Sequence, residues 1–173
     1  FYFLHLSDPE GKGWSSDALL DRIVCQRSKN GGRTWSKGGG MGLAPPKDQD
    51  KEWAVVAPDG QSIHACWTQF DKYGSELPGD STVILCSRSN AKGKVWSEPV
   101  RVSDKAGDCL DGDATAEGAV PAIGLNGEVY VAWALGPWIY FDKSLDGGET
   151  WSQKDRIVAE IVGGWDQSID GIG

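Results

Sequence analysis

The chain has one methionine and two histidines in 173 residues. It has no apolar run approaching the roughly 20 residues that a membrane-spanning helix needs. Helical insertion into a membrane is therefore not expected. Basic charge is also scarce: 17 lysines and arginines face 25 acidic residues, for a formal net charge of −8. A nucleic-acid partner requires a basic surface to neutralise its phosphates, so that class drops out. The four cysteines form no CxxC pair and have no histidine at metal-ligand spacing, which argues against zinc. No window carries a sustained helical apolar period with caps, so helix has little place here. No basic segment followed by a hydrophobic core stands at the start, and no secretion signal is visible.

Glycine and tryptophan are what the chain has in plenty, at 24 and 9, and they fall into a repeat. Ser144, Leu145, Asp146, Gly147, Gly148, Glu149, Thr150 and Trp151 recur upstream as Ser28, Lys29, Asn30, Gly31, Gly32, Arg33, Thr34 and Trp35. A worn copy, Ser89 to Trp96, has Ala91 and Val95 at the polar positions. Each copy follows a β-prone run, and Asp or Asn before Gly supplies the positive φ angles of a tight hairpin. The tryptophan is placed to pack beneath the turn while its indole N–H finds an acceptor. A second register aligns Ile63–Thr68 with Val129–Ala134, each after a turn at Asp59-Gly60 or Asn126-Gly127, and both read as strands. Tyr2–Ser7 fits the same register without its upstream turn, so the chain is expected to begin inside a repeat unit.

The pattern Ser-x-Asp-x-Gly-x-Thr-Trp resembles the Asp-box, or bacterial neuraminidase repeat, of the sialidase (neuraminidase) superfamily. That resemblance implies an all-β fold, a β-propeller of four-stranded antiparallel blades with Asp-box hairpins on the outer rim. Propellers close with about four to eight blades, and this sequence supplies about three. Blade segments are expected at about 1–37, 50–103 and 115–160, with a further blade starting at 161–173. The chain is thus expected to be an internal piece of a longer protein, a propeller of about six blades or more. The resemblance also implies export, to an extracellular, periplasmic or cell-surface location, and a glycan or glycoconjugate partner alongside the remaining blades.

Acid-rich approaches to the inner strands hold the residues that point to chemistry. Asp50, Lys51, Glu52 and Trp53 precede one strand, Asp111, Asp113 and Glu117 another, and Trp165 and Asp166 open the last. Convergent carboxylates beside aromatic platforms suit sugar hydroxyls and sugar C–H faces, and paired carboxylates suit glycoside hydrolysis. The catalytic candidates are Glu117, Asp50 and Asp113; Trp53, Lys51, Glu52, Asp111, Trp165 and Asp166 are candidates for binding substrate. Each acid also reads as turn material that caps backbone N–H groups. Asp108, Asp111, Asp113 and Glu117 further admit a calcium reading, though without an EF-hand pattern; no cofactor is otherwise called for. His5 and His64 fall on strands and read as packing or surface residues.

Glu117, followed by an apolar strand, an Asn-Gly turn and another strand, resembles the region of the sialidase glutamate that assists a tyrosine nucleophile. The departure is at Trp133, where that family carries a triad arginine, and no FRIP-like arginine motif is present. Arg27 and Arg88 read as rim residues. The expected activity is exo-glycoside hydrolysis of the sialidase type. A non-catalytic carbohydrate- or protein-binding propeller and a different glycosidase on the same scaffold are the alternatives. Cys25 and Cys86, at equivalent places in two units, read as buried apolar filler. A Cys66–Cys109 disulfide is open if the protein is exported, with connectivity unassigned.

Overall fold

The computed structural model describes residues 1–90 and 92–163, and these form strands arranged in three antiparallel sheets. The first sheet has β1 (Tyr2–Leu6), β2 (Ile23–Arg27) and β3 (Gly39–Met41). The second runs β4 (Asp48–Val56), β5 (Ile63–Phe70), β6 (Thr82–Ser89) and β7 (Val100–Arg101). The third runs β8 (Glu117–Ile123), β9 (Val129–Leu135), β10 (Trp138–Ser144) and β11 (Arg156–Glu160). The one helical turn among the described residues is a short 3-10 segment at Gly13–Ser15. No helix there is long and apolar enough to cross a membrane.

Sequence pattern explains which strands are buried on both faces. β5 is buried at nearly every position, because the second sheet lies between the other two. β8 alternates buried and exposed residues, the pattern of a strand packed on one face. Ile23, Cys25, Met41 and Trp67 fill the space between the first and second sheets. Cys66, Ile84, Val131, Trp133 and Tyr140 fill that between the second and third. Trp67 and Trp133 hold equivalent register positions, opposite Leu85 and Tyr140 respectively. Trp133, which stands where the resembled family has an arginine, is 1% exposed and belongs to the core.

The cysteines differ from expectation. Cys86 is not filler: it lies opposite Cys66 across β5 and β6 and forms a disulfide with it, at a Cα–Cα distance of 4.1 Å. Cys109 is not its partner; Cys109 and Cys25 are both free and buried. The sequence alignment paired Cys86 with Cys25 in its own register and left unseen that Cys66 faces it one strand away.

Each repeat tract caps the connection between the last two strands of its sheet. In the third copy, Ser144 Oγ accepts the Gly148 N–H at 2.8 Å. Asp146 Oδ1 accepts the N–H groups of Glu149 and Thr150 at 3.0 and 2.9 Å. Asn30 repeats this by accepting the Thr34 N–H at 3.0 Å. The worn copy keeps the Gly93 N–H to Ser89 Oγ bond at 3.1 Å. Trp35 and Trp96 donate their indole N–H to Gly32 and Gly93 carbonyls, whereas the buried Trp151 Nε1 meets no acceptor among the described residues.

Candidate active site at the loop end of the sheets

Antiparallel sheets alternate their connections between two ends. The repeat hairpins and the β4–β5 and β8–β9 turns lie at one end; the β1–β2, β3–β4, β5–β6 and β7–β8 connections lie at the other. The acidic candidates gather at this second end. β4 and β8 carry matching bulges, between Asp50 and Trp53 and between Glu117 and Val120. Asp50 pairs with Thr68 and Glu117 with Ala134, so the two carboxylates occupy the same place in successive sheets. The residue after each has positive φ: Lys51 at 55° and Gly118 at 69°. A bulge of this kind re-aims the side chains around it, and here it turns Lys51 toward the neighbouring sheet.

Lys51 Nζ lies 2.9 Å from Asp111 Oδ1 and 3.3 Å from Glu117 Oε2. Asp111 Oδ2 accepts the phenolic hydrogen of Tyr73, from the β5–β6 loop. Glu117 is fully buried. The ammonium lies close to Glu117 without the alignment of a hydrogen bond, and no donor is hydrogen-bonded to either carboxylate oxygen. That arrangement favours the neutral acid: burial pushes the Glu117 carboxyl up to about 8, and a hydrogen bond to Asp111 adds to the shift against the pull of Lys51. A protonated Glu117 has the donor that Asp111 accepts.

The neighbours respond in kind. Burial works to raise Asp111, but the bonds from Tyr73, Glu117 and Lys51 hold its carboxyl below the usual range. Burial also opposes the Lys51 charge, and Asp111 with Glu117 outweighs it, so the ammonium is held above its ordinary value. The bond to Asp111, then burial, pushes Tyr73 up to about 12. Asp50 is raised by burial despite accepting the Lys51 N–H at 2.7 Å. The product is a buried acid, an ionised carboxylate, a phenol and a cation in mutual reach.

Of the candidates, Asp50, Lys51, Asp111 and Glu117 are thus brought together. Glu52 is half-buried beside Asp50 and His5, its carboxyl raised by burial. Trp53 is exposed on β4. Asp113 exposes its side chain while its carbonyl accepts the Gly136 N–H at 2.6 Å, bracing the β9–β10 turn. Trp165 and Asp166 lie outside the described residues. Asp108 is committed inside its loop, accepting from Thr115 Oγ1 at 2.7 Å. Among the described residues no group of three or more histidine, cysteine or carboxylate side chains is arranged to hold a metal ion.

No protein-family model matches the chain, and no curated protein matches it. Among solved structures it is similar to the Hadza microbial sialidase Hz136, at 15% identity and a TM-score of 0.59, over 87% of this chain and 34% of that one. It also aligns with a mutant of NanB sialidase from Streptococcus pneumoniae at 17% identity and a TM-score of 0.46, over 80% of this chain and 19% of that one. The fold is sialidase-like. The chain spans about a third of the length of the first of these proteins, and at such identities the likeness is one of fold.

Tyr73 was not visible to sequence reasoning. Its loop, residues 71–81, joins β5 to β6, whereas Gly136 and Pro137 suffice between β9 and β10. A connection that outgrows its counterpart is the available signal, since long loops on a rigid scaffold carry function.

Proposed function

We propose that the three sheets are successive blades of an Asp-box propeller that hydrolyses glycosidic bonds at the Lys51–Tyr73–Asp111–Glu117 centre. The observation that carries this reading is the buried Glu117 carboxyl, held neutral against an ionised Asp111 at the loop end. A neutral acid near pH 7 is what protonation of a leaving-group oxygen requires. Tyr73, with its hydroxyl on Asp111, supplies a nucleophile beside a base. Attack by its oxygen on the anomeric carbon passes the phenolic proton to Asp111, while Glu117 protonates the departing oxygen. Water then cleaves the glycosyl–tyrosine bond, giving its hydroxyl to the sugar and its proton to Glu117, while Asp111 returns the phenolic proton to Tyr73. Asp50 and Lys51 orient hydroxyl or carboxylate groups of the sugar, and Trp53, Glu52 and Asp113 stand at the margin. The disulfide between Cys66 and Cys86 fits an exported protein, because such bonds persist in oxidising compartments.

Glu117→Gln in the intact protein is expected to lower turnover of its glycan substrate by more than about tenfold. Unchanged turnover overturns the assignment. A glycan-binding module without catalysis is the second reading, and one observation favours it: three of the six arginines are engaged in pairs that leave them no anionic sugar to hold. Arg22 is paired with Asp21, Arg88 with Glu149, and Arg101 with the Ser103 and Asp104 carbonyls. Glycan capture without release of sugar, at an affinity independent of Glu117, selects that reading.

A further inference from the structure

The two loops that carry Tyr73 and Asp111 share one anchoring residue. Thr82 opens β6, directly after the Tyr73 loop, and pairs with Phe70 to close the base of that loop. Its backbone also exchanges two hydrogen bonds with Gly107: its N–H donates to the Gly107 carbonyl at 2.9 Å, and its carbonyl accepts the Gly107 N–H at 3.0 Å. Its hydroxyl then holds both sides of the β7–β8 connection. It donates to the Asp108 carbonyl at 2.8 Å and accepts the Ala116 N–H at 3.0 Å. Asp111 lies on the loop between these two points, and Glu117 follows the second. Thr82 is fully buried, as is Thr68 on β5, whose hydroxyl donates to the Ala116 carbonyl at 3.0 Å.

A hydroxyl is donor and acceptor at once, so one side chain can grip a carbonyl on one side of the loop and an N–H on the other. Valine has the same shape and can grip neither. The neck it closes is tight. A β-carbon on Gly107 would lie 2.3 Å from the Ala116 nitrogen and 2.6 Å from the Ala114 carbonyl oxygen, and the Asp108 N–H donates to the Ala114 carbonyl at 2.9 Å. Inside the loop, Thr115 Oγ1 donates to Asp108 and accepts the Gly112 N–H, so a shift at the neck passes to Asp111. The Gly74 N–H, on the Cys109 carbonyl at 2.8 Å, couples the Tyr73 loop to the same movement. We infer that Thr82 is a positioning residue for the acidic centre, its hydroxyl setting the approach of Asp111 to Glu117 from the neighbouring sheet. Its effect on turnover rests on the proposed reading of that centre; its effect on the Glu117 proton does not. The bond to Asp111 adds to the rise of the Glu117 carboxyl, so a loop released at its neck lets that carboxyl fall back toward its ordinary range.

The test uses the intact protein with 13C-labelled glutamate carboxyls, the Glu117 signal being assigned from its loss in Glu117→Gln. Thr82→Val is expected to lower the Glu117 titration midpoint by about one pH unit and to cut kcat on sialyllactose about tenfold, with KM held within about twofold. Thr82→Ser, which keeps the hydroxyl, is expected to restore both. Ser103→Ala is the control: it removes a buried hydroxyl from the same connection, the acceptor of the Ile84 N–H at 3.0 Å, but outside the neck, and it is expected to leave the midpoint in place. A midpoint that Thr82→Val does not move, or that both variants move equally, overturns the inference. Amide exchange in the unsubstituted protein decides the matter if Thr82→Val does not fold: the Ala116 amide is expected to exchange at least about tenfold more slowly than that of Leu110 on the loop, and equal rates overturn the inference. If Thr82→Val moves the midpoint while sialyllactose is not turned over, or is turned over unchanged by Glu117→Gln, the role of Thr82 stands and the reading of the acidic centre fails.

Discussion

At φ 55° Lys51 holds a backbone conformation that costs a residue with a β-carbon about 1 kcal/mol, and Gly118 fills the equivalent place one sheet later. Strain kept where glycine is the easy solution points to a use for the side chain. Lys51→Gly is therefore expected to fold about 1 kcal/mol more stably than Lys51→Ala, by urea denaturation, while both lose the cation at Asp111 and Glu117. Glu117 itself links stability to pH. Its carboxyl rises from 4.5 to about 8 on folding, so the folded state prefers the protonated form. The stability this supplies is complete below pH 4.5 and is lost as pH rises through about 8. Glu117→Gln should flatten that part of the stability profile; an unchanged slope between these values would sink the assignment. The sequence could show Asp50 and Glu117 because register and repeat gave them one address. Tyr73 escaped because its loop outgrows the two-residue counterpart between β9 and β10, which has no position to align with it.

Among elements, the strands were legible and their partners less so. Alternation and turn residues marked β5 and β9, and the match to Tyr2–Leu6 marked β1. Cross-strand pairing was not readable from one alignment column, which is why the Cys66–Cys86 bond was missed. The repeat hairpins offer a graded test of turn chemistry. Ser144 is buried and accepts from Gly148, and its hydroxyl donates to Asp146 at 2.6 Å. Ser144→Ala leaves the Gly148 N–H without that acceptor and is expected to cost about 1–2 kcal/mol. Asn90 makes no side-chain hydrogen bond to the described residues, so Asn90→Ala should stay within about 0.5 kcal/mol. Thermal melts of the two variants read the difference directly; equal losses would mean that the tract is held by its glycines and tryptophan alone.

Across the whole molecule, the sheets are joined by more than their cores. The third hairpin leans on the second sheet: a β-carbon on Gly148 would lie 3.4 Å from His64 Nδ1, and Arg88 pairs with Glu149. The second leans on the first, where one on Gly93 would lie 2.7 Å from Cys25 Sγ. Cys66 and Cys86 close a loop with a sequence separation of 20 inside the middle sheet. Reducing that bond is expected to cost about 2–4 kcal/mol, seen as a lower urea midpoint in the presence of a reductant. An unchanged midpoint would mean that the bond adds nothing to the fold. The division of labour between the two ends of the sheets has a further consequence. Hairpins that grip a neighbour occupy one end and the chemistry-bearing loops the other, so inheritance can act on them separately. Lineages descending from such a chain can rewrite the loops and leave the tryptophan-closed tips passing down unaltered.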